Sequence, residues 1–492
     1  MVKDFFHLSL ILYRLKTMSK LFIITLLLTL SISSFAQSRR VNPNVQKSAN
    51  PAVSTLNELT AKQMFDETNT YAKTKFAEFE EKKLPFNDKL YKQTLQERKQ
   101  LAAKYTAVIS SRPNLSGEDF YYLGMLHWIA ENAEVAAENL RKFFASENPA
   151  VEKMQIARPI VTVDAARRKN FDEAEKLLQD YLKAEPVKMS ERARMEGELA
   201  KSYRAEKDFT KAEAHAAESL RAIKAIFTDS ASRAQALGQI LDAGMLVFEI
   251  YKESDKAKEA GDALEDLRKT AVLVQSSSLY YYAADENIKY LIETNRKPLA
   301  LKMYADMLAL TKKDFAAKPL QEEILRRLKD REKHYKLLGE TAPELTDIDR
   351  WLPGNAQTLA SMRGKVVLLD FWATWCVPCI DAFPSLIEWH QTFQKDGLEI
   401  LGVTKYHGQA EGFPVDNAAE IEFLQRFKRG HRLPYSFVVA KHTGNQLTYG
   451  ATAIPTAVLI DRKGIIRYIE TGAGERREEK IREVIVKLLA EK

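Results

Sequence analysis

The sequence predicts two domains of different class, an all-α helical repeat region followed by an α/β domain, and three observations carry that prediction. Apolar residues recur at helical spacing from about Asn57 to Leu338, with almost no strand-like alternation. Three segments inside that region align at a constant displacement of 38 residues. Beyond the stretch "LGETAPELTDIDRWLPGN" (Leu338 to Asn355), short continuous apolar runs alternate with helical patterns, as strands and helices do in an α/β domain. A chain of 492 residues also exceeds what one hydrophobic core usually supports, so more than one domain follows from length alone.

The N-terminus reads as an export signal. Starting at Met18, "MSKLFIITLLLTLSISSFAQ" offers one lysine, an apolar run from Leu21 to Leu30 and a small-x-small cleavage site at Ser34-Phe35-Ala36. That run is short for a bilayer, and the rival reading is an uncleaved anchor lengthened by "FFHLSLILY" (Phe5 to Tyr13). The expectation is therefore removal of residues 1–36, with Met18 as the start, and a location in the periplasm or cell envelope. Residues 37–56 are polar, contain prolines and carry no periodicity, so they read as a disordered leader.

The helical region spans residues 57–338. Its aligned segments are "ENAEVAAENLRKFF" (from Glu131), "KNFDEAEKLLQDYL" (from Lys169) and "KDFTKAEAHAAESL" (from Lys207), with Ala136, Ala174 and Ala212 in one slot. Looser copies begin at Ser254 and Asn295, with Ala257 and Ala300 assigned to that slot. A small residue there lets neighbouring helices approach, and two-helix units stack because none buries its apolar face alone. The pattern resembles the tetratricopeptide repeat with longer, less regular units; an ordinary helical bundle is the plainer alternative. A solenoid of this kind offers a surface for a protein partner. The tyrosines of "DFYYLGMLHW" (Asp119 to Trp128) and "SLYYYAAD" (Ser278 to Asp285) fit inter-repeat core better than a binding surface.

The α/β domain covers residues 339–492. "KVVLLDFW" (Lys365 to Trp372) suits a buried central strand, followed by strands in "LEILGVTKY" (Leu398 to Tyr406), "TAVLID" (Thr456 to Asp461) and "GIIRYIE" (Gly464 to Glu470). Helices are expected after the cysteines, over Asn417 to Gly430 and over Arg477 to Ala490. The formal charge of +7 comes from 74 basic and 67 acidic residues that interleave, which argues against a nucleic-acid partner.

The chemistry is concentrated in "FWATWCVPCIDAFP" (Phe371 to Pro384), which holds both cysteines of the chain. A pair three residues apart closes too small a loop to constrain the unfolded chain, so a structural disulfide is disfavoured. Zinc would require a second close ligand pair, which the sequence lacks. A peroxide-reducing cysteine fits poorly, because Thr374 lies only two residues before Cys376. A thiol at a helix start meets unpaired N–H groups and the positive end of the dipole, which stabilise its thiolate. Cys376 is accordingly expected to attack a substrate disulfide and Cys379, one turn on, to resolve the mixed disulfide. Pro378 lacks an N–H, which is harmless in the first helical turn.

"VVLLDFWATWCVPC" together with "GATAIPTAVLIDRKGIIRYIETG" resembles the thioredoxin fold, and specifically the exported TlpA/ResA-type thiol-disulfide oxidoreductases, over about Glu340 to Lys492. The resemblance implies a redox-active Cys376–Cys379 disulfide with no other cofactor, a cis Ile454–Pro455 peptide, and pairing of substrate with the backbone around Ile454 beside Pro455. It further implies protein thiol or disulfide substrates and a membrane-linked electron donor. Asp370, inside an apolar strand, is costly to bury ionised, and the resemblance makes it the acceptor of the Cys379 proton. Trp375 would form a flat apolar shoulder for substrate, Trp372 would be core, and His407, His431 and His442 read as surface residues. Many ResA-type relatives carry glutamate where this chain has Ala382, so the resemblance does not imply functions resting on that glutamate, such as narrow specificity for apocytochrome c. The leading direction is reduction of substrate disulfides. The alternatives are an oxidase or isomerase, or a repeat scaffold whose second domain only docks.

Overall fold

The computed structural model describes residues 58–85, 87–227 and 233–491. The expected signal segment 1–36 and leader 37–56 lie outside these. Among the described residues no helix is long and apolar enough to cross a membrane. The described residues fall into two compact units, divided at Leu267/Arg268.

Helices α1 (Ala61–Glu81) and α2 (Asp88–Ser110) are followed by hairpins α3 (Gly117–Ile129)/α4 (Ala133–Phe144), α5 (Val151–Arg167)/α6 (Phe171–Leu182) and α7 (Met189–Ala205)/α8 (Phe209–Ile226). Then come α9 (Arg233–Glu253)/α10 (Ala257–Leu273), α11 (Ser277–Glu293)/α12 (Lys297–Asp314) and α13 (Lys318–Leu337). Five of these hairpins turn in the same way. Glu131, Lys169, Lys207, Asp255 and Asn295 take left-handed φ values of 61°, 62°, 63°, 58° and 58°. In each turn the next residue's N–H returns to a carbonyl five residues back, as from Asn132 to His127 and from Asn170 to Ala165, which closes a Schellman motif without glycine. Five residues past each left-handed position stands a fully buried alanine: Ala136, Ala174, Ala212, Ala260 and Ala300. The fourth corrects the sequence assignment. Ala257 is exposed at the first residue of α10, because the turn at Asp255 sets the register and Ala260 takes the packing slot. Tyr121, Tyr122 and Tyr280 are buried.

In the second unit, a six-stranded sheet has the order β1-β6-β3-β2-β7-β8. Strands β2 (Val366–Phe371), β3 (Leu398–Lys405) and β6 (Ser436–Ala440) run parallel to one another. Strands β1 (Ile348–Leu352), β7 (Thr456–Ile460) and β8 (Ile466–Thr471) pair antiparallel. Two of these were not predicted. β1 lies in the stretch Leu338 to Asn355, after which the pattern switches, and β6 in the segment between Tyr406 and Gly450. A small hairpin, β4 (Gln409–Ala410) with β5 (Phe413–Pro414), was also missed. Helices α14 (Val377–Asp381), α15 (Phe383–Phe393), α16 (Asn417–Gly430), α17 (Gly444–Tyr449) and α18 (Glu475–Ala490) complete the domain. Leu368, Trp372, Phe383, Leu386, Phe437 and Ile485 form the centre of a core that includes both cysteines.

Candidate active site

Strands β2, β3 and β6 end on the same edge of the sheet, where open α/β folds place their ligands. β2 ends at Phe371 and the chain reaches Cys376 five residues later, at the N-cap of α14. The N–H groups of Cys379 and Ile380 donate to the Cys376 carbonyl at 3.0 and 3.2 Å, so the pair spans the first helical turn. The two cysteines form a disulfide with their Cα atoms 5.3 Å apart. Both sulfur-bearing residues are buried, while their neighbour Trp375 is 55% exposed and Val377 and Pro378 face solvent. Trp372 is core, stacked on Phe427 and packed edge-on against Phe383 and at a tilt against Phe437.

Asp370 pairs with Gly402 on β3 and Ala457 on β7. Strand alternation puts its side chain on the face of Leu368 and Trp372, the face of the core that holds the cysteines. Burial pushes its carboxyl up to about 6, with the Arg477 guanidinium opposing. Gly402 keeps that face open: a Cβ there would lie 2.9 Å from Trp372 Nε1 and 3.1 Å from Phe437 Cδ1.

Across the β2–β7 ladder Phe371 faces Thr456, so the residues preceding β7 stand at the same sheet edge as the cysteine helix. The Ile454–Pro455 peptide is cis. Ile454 packs against the core cluster that contains Cys376 and Cys379, and among the described residues neither its N–H nor its C=O makes a backbone hydrogen bond. Pro455 accepts from the Gly472 N–H at 2.9 Å, and the Thr456 hydroxyl donates to the Ala453 carbonyl at 2.6 Å.

The structure adds residues that sequence reasoning missed. His407 was read as a surface residue; it is part-buried edge-on against Trp375, ring centres 5.5 Å apart and Trp375 Nε1 3.4 Å from His407 Nδ1. Its backbone N–H and that of Gly408 both donate to the buried Glu420 carboxylate at 2.8 Å. A residue just past β3 and one on α16 meet only through the fold, so no local signal announced them. His431 packs on Phe427 with ring centres 4.3 Å apart, and exposed His442 pairs with Asp347. Ala382 is buried between α14 and α15.

A close cysteine pair at a helix start, on the carboxyl edge of a mixed sheet and beside a loop with unpaired backbone, defines a thioredoxin-fold redox domain. A family model described as Redoxin matches residues 337–485. The thiol-disulfide oxidoreductase ResA of Geobacillus thermodenitrificans is 36% identical over 141 residues, covering 29% of this chain and 73% of that protein. Protein DipZ of Mycobacterium bovis is 34% identical over 138 residues, covering 27% of this chain, which spans only 19% of DipZ's length. Among solved structures, the thioredoxin domain of a thiol-disulfide oxidoreductase from Bacteroides vulgatus aligns at 22% identity over 30% of this chain and 97% of that one, with a TM-score of 0.25. The chain belongs to the ResA family of thiol-disulfide oxidoreductases.

Proposed function

We propose that the protein reduces disulfides of protein substrates in the cell envelope through Cys376 and Cys379. The observation that carries this reading is the joint placement of the cysteine pair at the start of α14 and the unpaired backbone of Ile454 at one sheet edge. In the reduced state, the Cys376 thiolate attacks one sulfur of a substrate disulfide, forming a mixed disulfide and releasing the other sulfur as thiolate. Cys379 then loses its proton to Asp370 and attacks Cys376, forming the Cys376–Cys379 disulfide and releasing the second substrate thiolate. Two electrons have passed to the substrate, and a donor must return two electrons to the pair, with Asp370 giving its proton back to Cys379. A membrane-linked dithiol donor would meet that need.

Each residue serves this sequence for a physical reason. N-cap placement stabilises the Cys376 thiolate. A buried carboxyl that titrates at about 6 can take a proton near neutrality and give it up again. Trp375 offers exposed apolar area beside the nucleophile, Pro378 stiffens the first turn, and Ile454 with Pro455 receives the substrate backbone. The helical hairpins would hold the protein partner.

Titration of the purified chain against glutathione buffers tests direction. A potential near or below about −270 mV agrees with a reductase, and one near about −120 mV would reverse the assignment to an oxidant. If no disulfide forms at any poise, the redox reading fails.

A further inference from the structure

The last helix before the sheet domain, α13, reaches the loop that leads to Pro455. The buried His334 imidazole sits between two partners, Arg331 Nη1 at 3.0 Å from Nδ1 and the Gly450 carbonyl at 2.9 Å from Nε2. A guanidinium only donates, so Nδ1 must accept; the single ring proton is then on Nε2, donated to Gly450. Burial and the adjacent guanidinium hold the imidazole down at about 4, which keeps it neutral as both bonds require.

Gly450 ends α17 with φ +67° and begins the six residues that run to Pro455. A Cβ on it would lie 2.8 Å from His334 Cδ2 and 3.1 Å from Lys333 Cγ, so the backbone rests directly on the helix and only glycine fits. Arg331 is fixed in turn. Its Nε donates to Asp285 Oδ1 and its Nη2 to the Ile469 carbonyl, both at 3.2 Å, and Tyr335 donates to Asp285 at 2.7 Å. Ile469 lies on β8 opposite Val458 of β7, the strand that Pro455 precedes. One helix therefore grips the loop at its first residue and the strand pair beyond its last.

We propose that His334 is a positioning residue for the substrate-binding loop, setting the backbone of Gly450 to Pro455 through its bond to the Gly450 carbonyl. The proposal rests on the reading that Ile454 and Pro455 receive substrate. It makes α13 a working part of the redox unit as well as the end of the helical array. Nothing in the sequence around His334, "REKHYKL", signals such a role, because its partner is 116 residues away.

The test uses the full chain carrying His334→Ala, His334→Gln or Gly450→Ala. Glutamine keeps an N–H donor near the Nε2 position, whereas alanine does not. Amide exchange over residues 450–456 should quicken by about fivefold in His334→Ala, the scale of one lost hydrogen bond. The KM for insulin disulfide reduction should rise by about the same factor, while kcat and the potential against glutathione stay within about twofold. His334→Gln should recover most of both effects, and Gly450→Ala, which acts from the loop side, should reproduce the rise in KM. Unchanged loop exchange in His334→Ala overturns the proposal, as does a fall in kcat with unchanged KM. A wild-type chain that exchanges with glutathione but never turns over insulin would sink the protein-reductase reading and with it the role in substrate positioning, while the exchange data would still decide the contact itself.

Discussion

Lys62 and Asp66, one turn apart on α1, pair at 2.6 Å with side chains 62% and 52% exposed; Arg331 and Asp285 pair at 3.2 Å with side chains only 7% and 8% exposed. The first pair lies in the unit before Arg268, where the recurrent elements are turns and small packing residues. The second lies in the unit from Arg268 onward, in a cluster used once. Lys289 stands 3.1 Å from Asp285, 2.5 Å from Glu286 and 3.5 Å from Glu470, and Arg331 is 3.7 Å from Glu470. The two cations hold the Asp285 and Glu470 carboxyls below the usual range, while burial pushes Glu286 up. A surface pair can be lost cheaply, but a buried one can be removed only by leaving a partner uncompensated.

The largest expected effect follows from that contrast. Arg331→Met should destabilise the second unit by about 3–5 kcal/mol, because of the two cations beside Asp285 and Glu470 only Lys289 would remain. Urea unfolding followed by tryptophan fluorescence reads that unit, since Trp351, Trp372, Trp375 and Trp389 all lie in it and only Trp128 does not. Lys62→Met, followed by circular dichroism, should leave stability almost unchanged, because the exposed pair is screened by water and salt. Comparable losses from the two substitutions would break the comparison.

A second buried charge sharpens it. Asp370 holds its proton more tightly in the fold than in the unfolded chain, since burial raises its carboxyl to about 6. Stability of the second unit should therefore be greatest below about pH 4 as far as this group is concerned, and fall as pH rises to about 6, by about 3 kcal/mol in all. Asp370→Asn should remove that decline, leaving the variant more stable than the parent at pH 7.5 but slower to resolve a mixed disulfide. A variant with the same pH slope as the parent would show that another group titrates. The same substitution tests the price of function: the carboxyl that weakens the fold is the one assigned to take the Cys379 proton.

How much of this was legible in the sequence divides along the same line. Repetition made the helical half readable, because three copies 38 residues apart expose which position needs a small side chain. The strands of the redox half were readable where apolar runs were long, as in β2 and β3, and the cysteine pair declared itself by spacing. What stayed hidden were contacts made by fold closure: β1 and β6 as partners, His407 against Trp375, Glu420 capping two backbone N–H groups, and His334 on Gly450. Each joins residues that are unremarkable in their local sequence, so no period or spacing could have marked them. The one error inside the repeats, Ala257 for Ala260, arose where the copies diverge and the turn had to be located before the slot could be counted.

That error supplies the smallest and most local test. The left-handed residue Asp255 fixes the start of α10, and the slot five residues on is fully buried at Ala260, whereas Ala257 is exposed. Enlarging a residue in a close-packed slot forces neighbours off their rotamers, at a cost of about 1–3 kcal/mol. Ala260→Leu should therefore lower stability of the first unit by about that amount, read by urea unfolding with far-ultraviolet circular dichroism. Ala257→Leu puts the same bulk on the solvent side of the same helix, and both residues favour helix, so its effect should stay within about 0.5 kcal/mol. Equal costs at the two positions would mean that the turn does not set the register of this hairpin, and that the repeat geometry established for Ala136, Ala174 and Ala212 does not extend to the fourth copy.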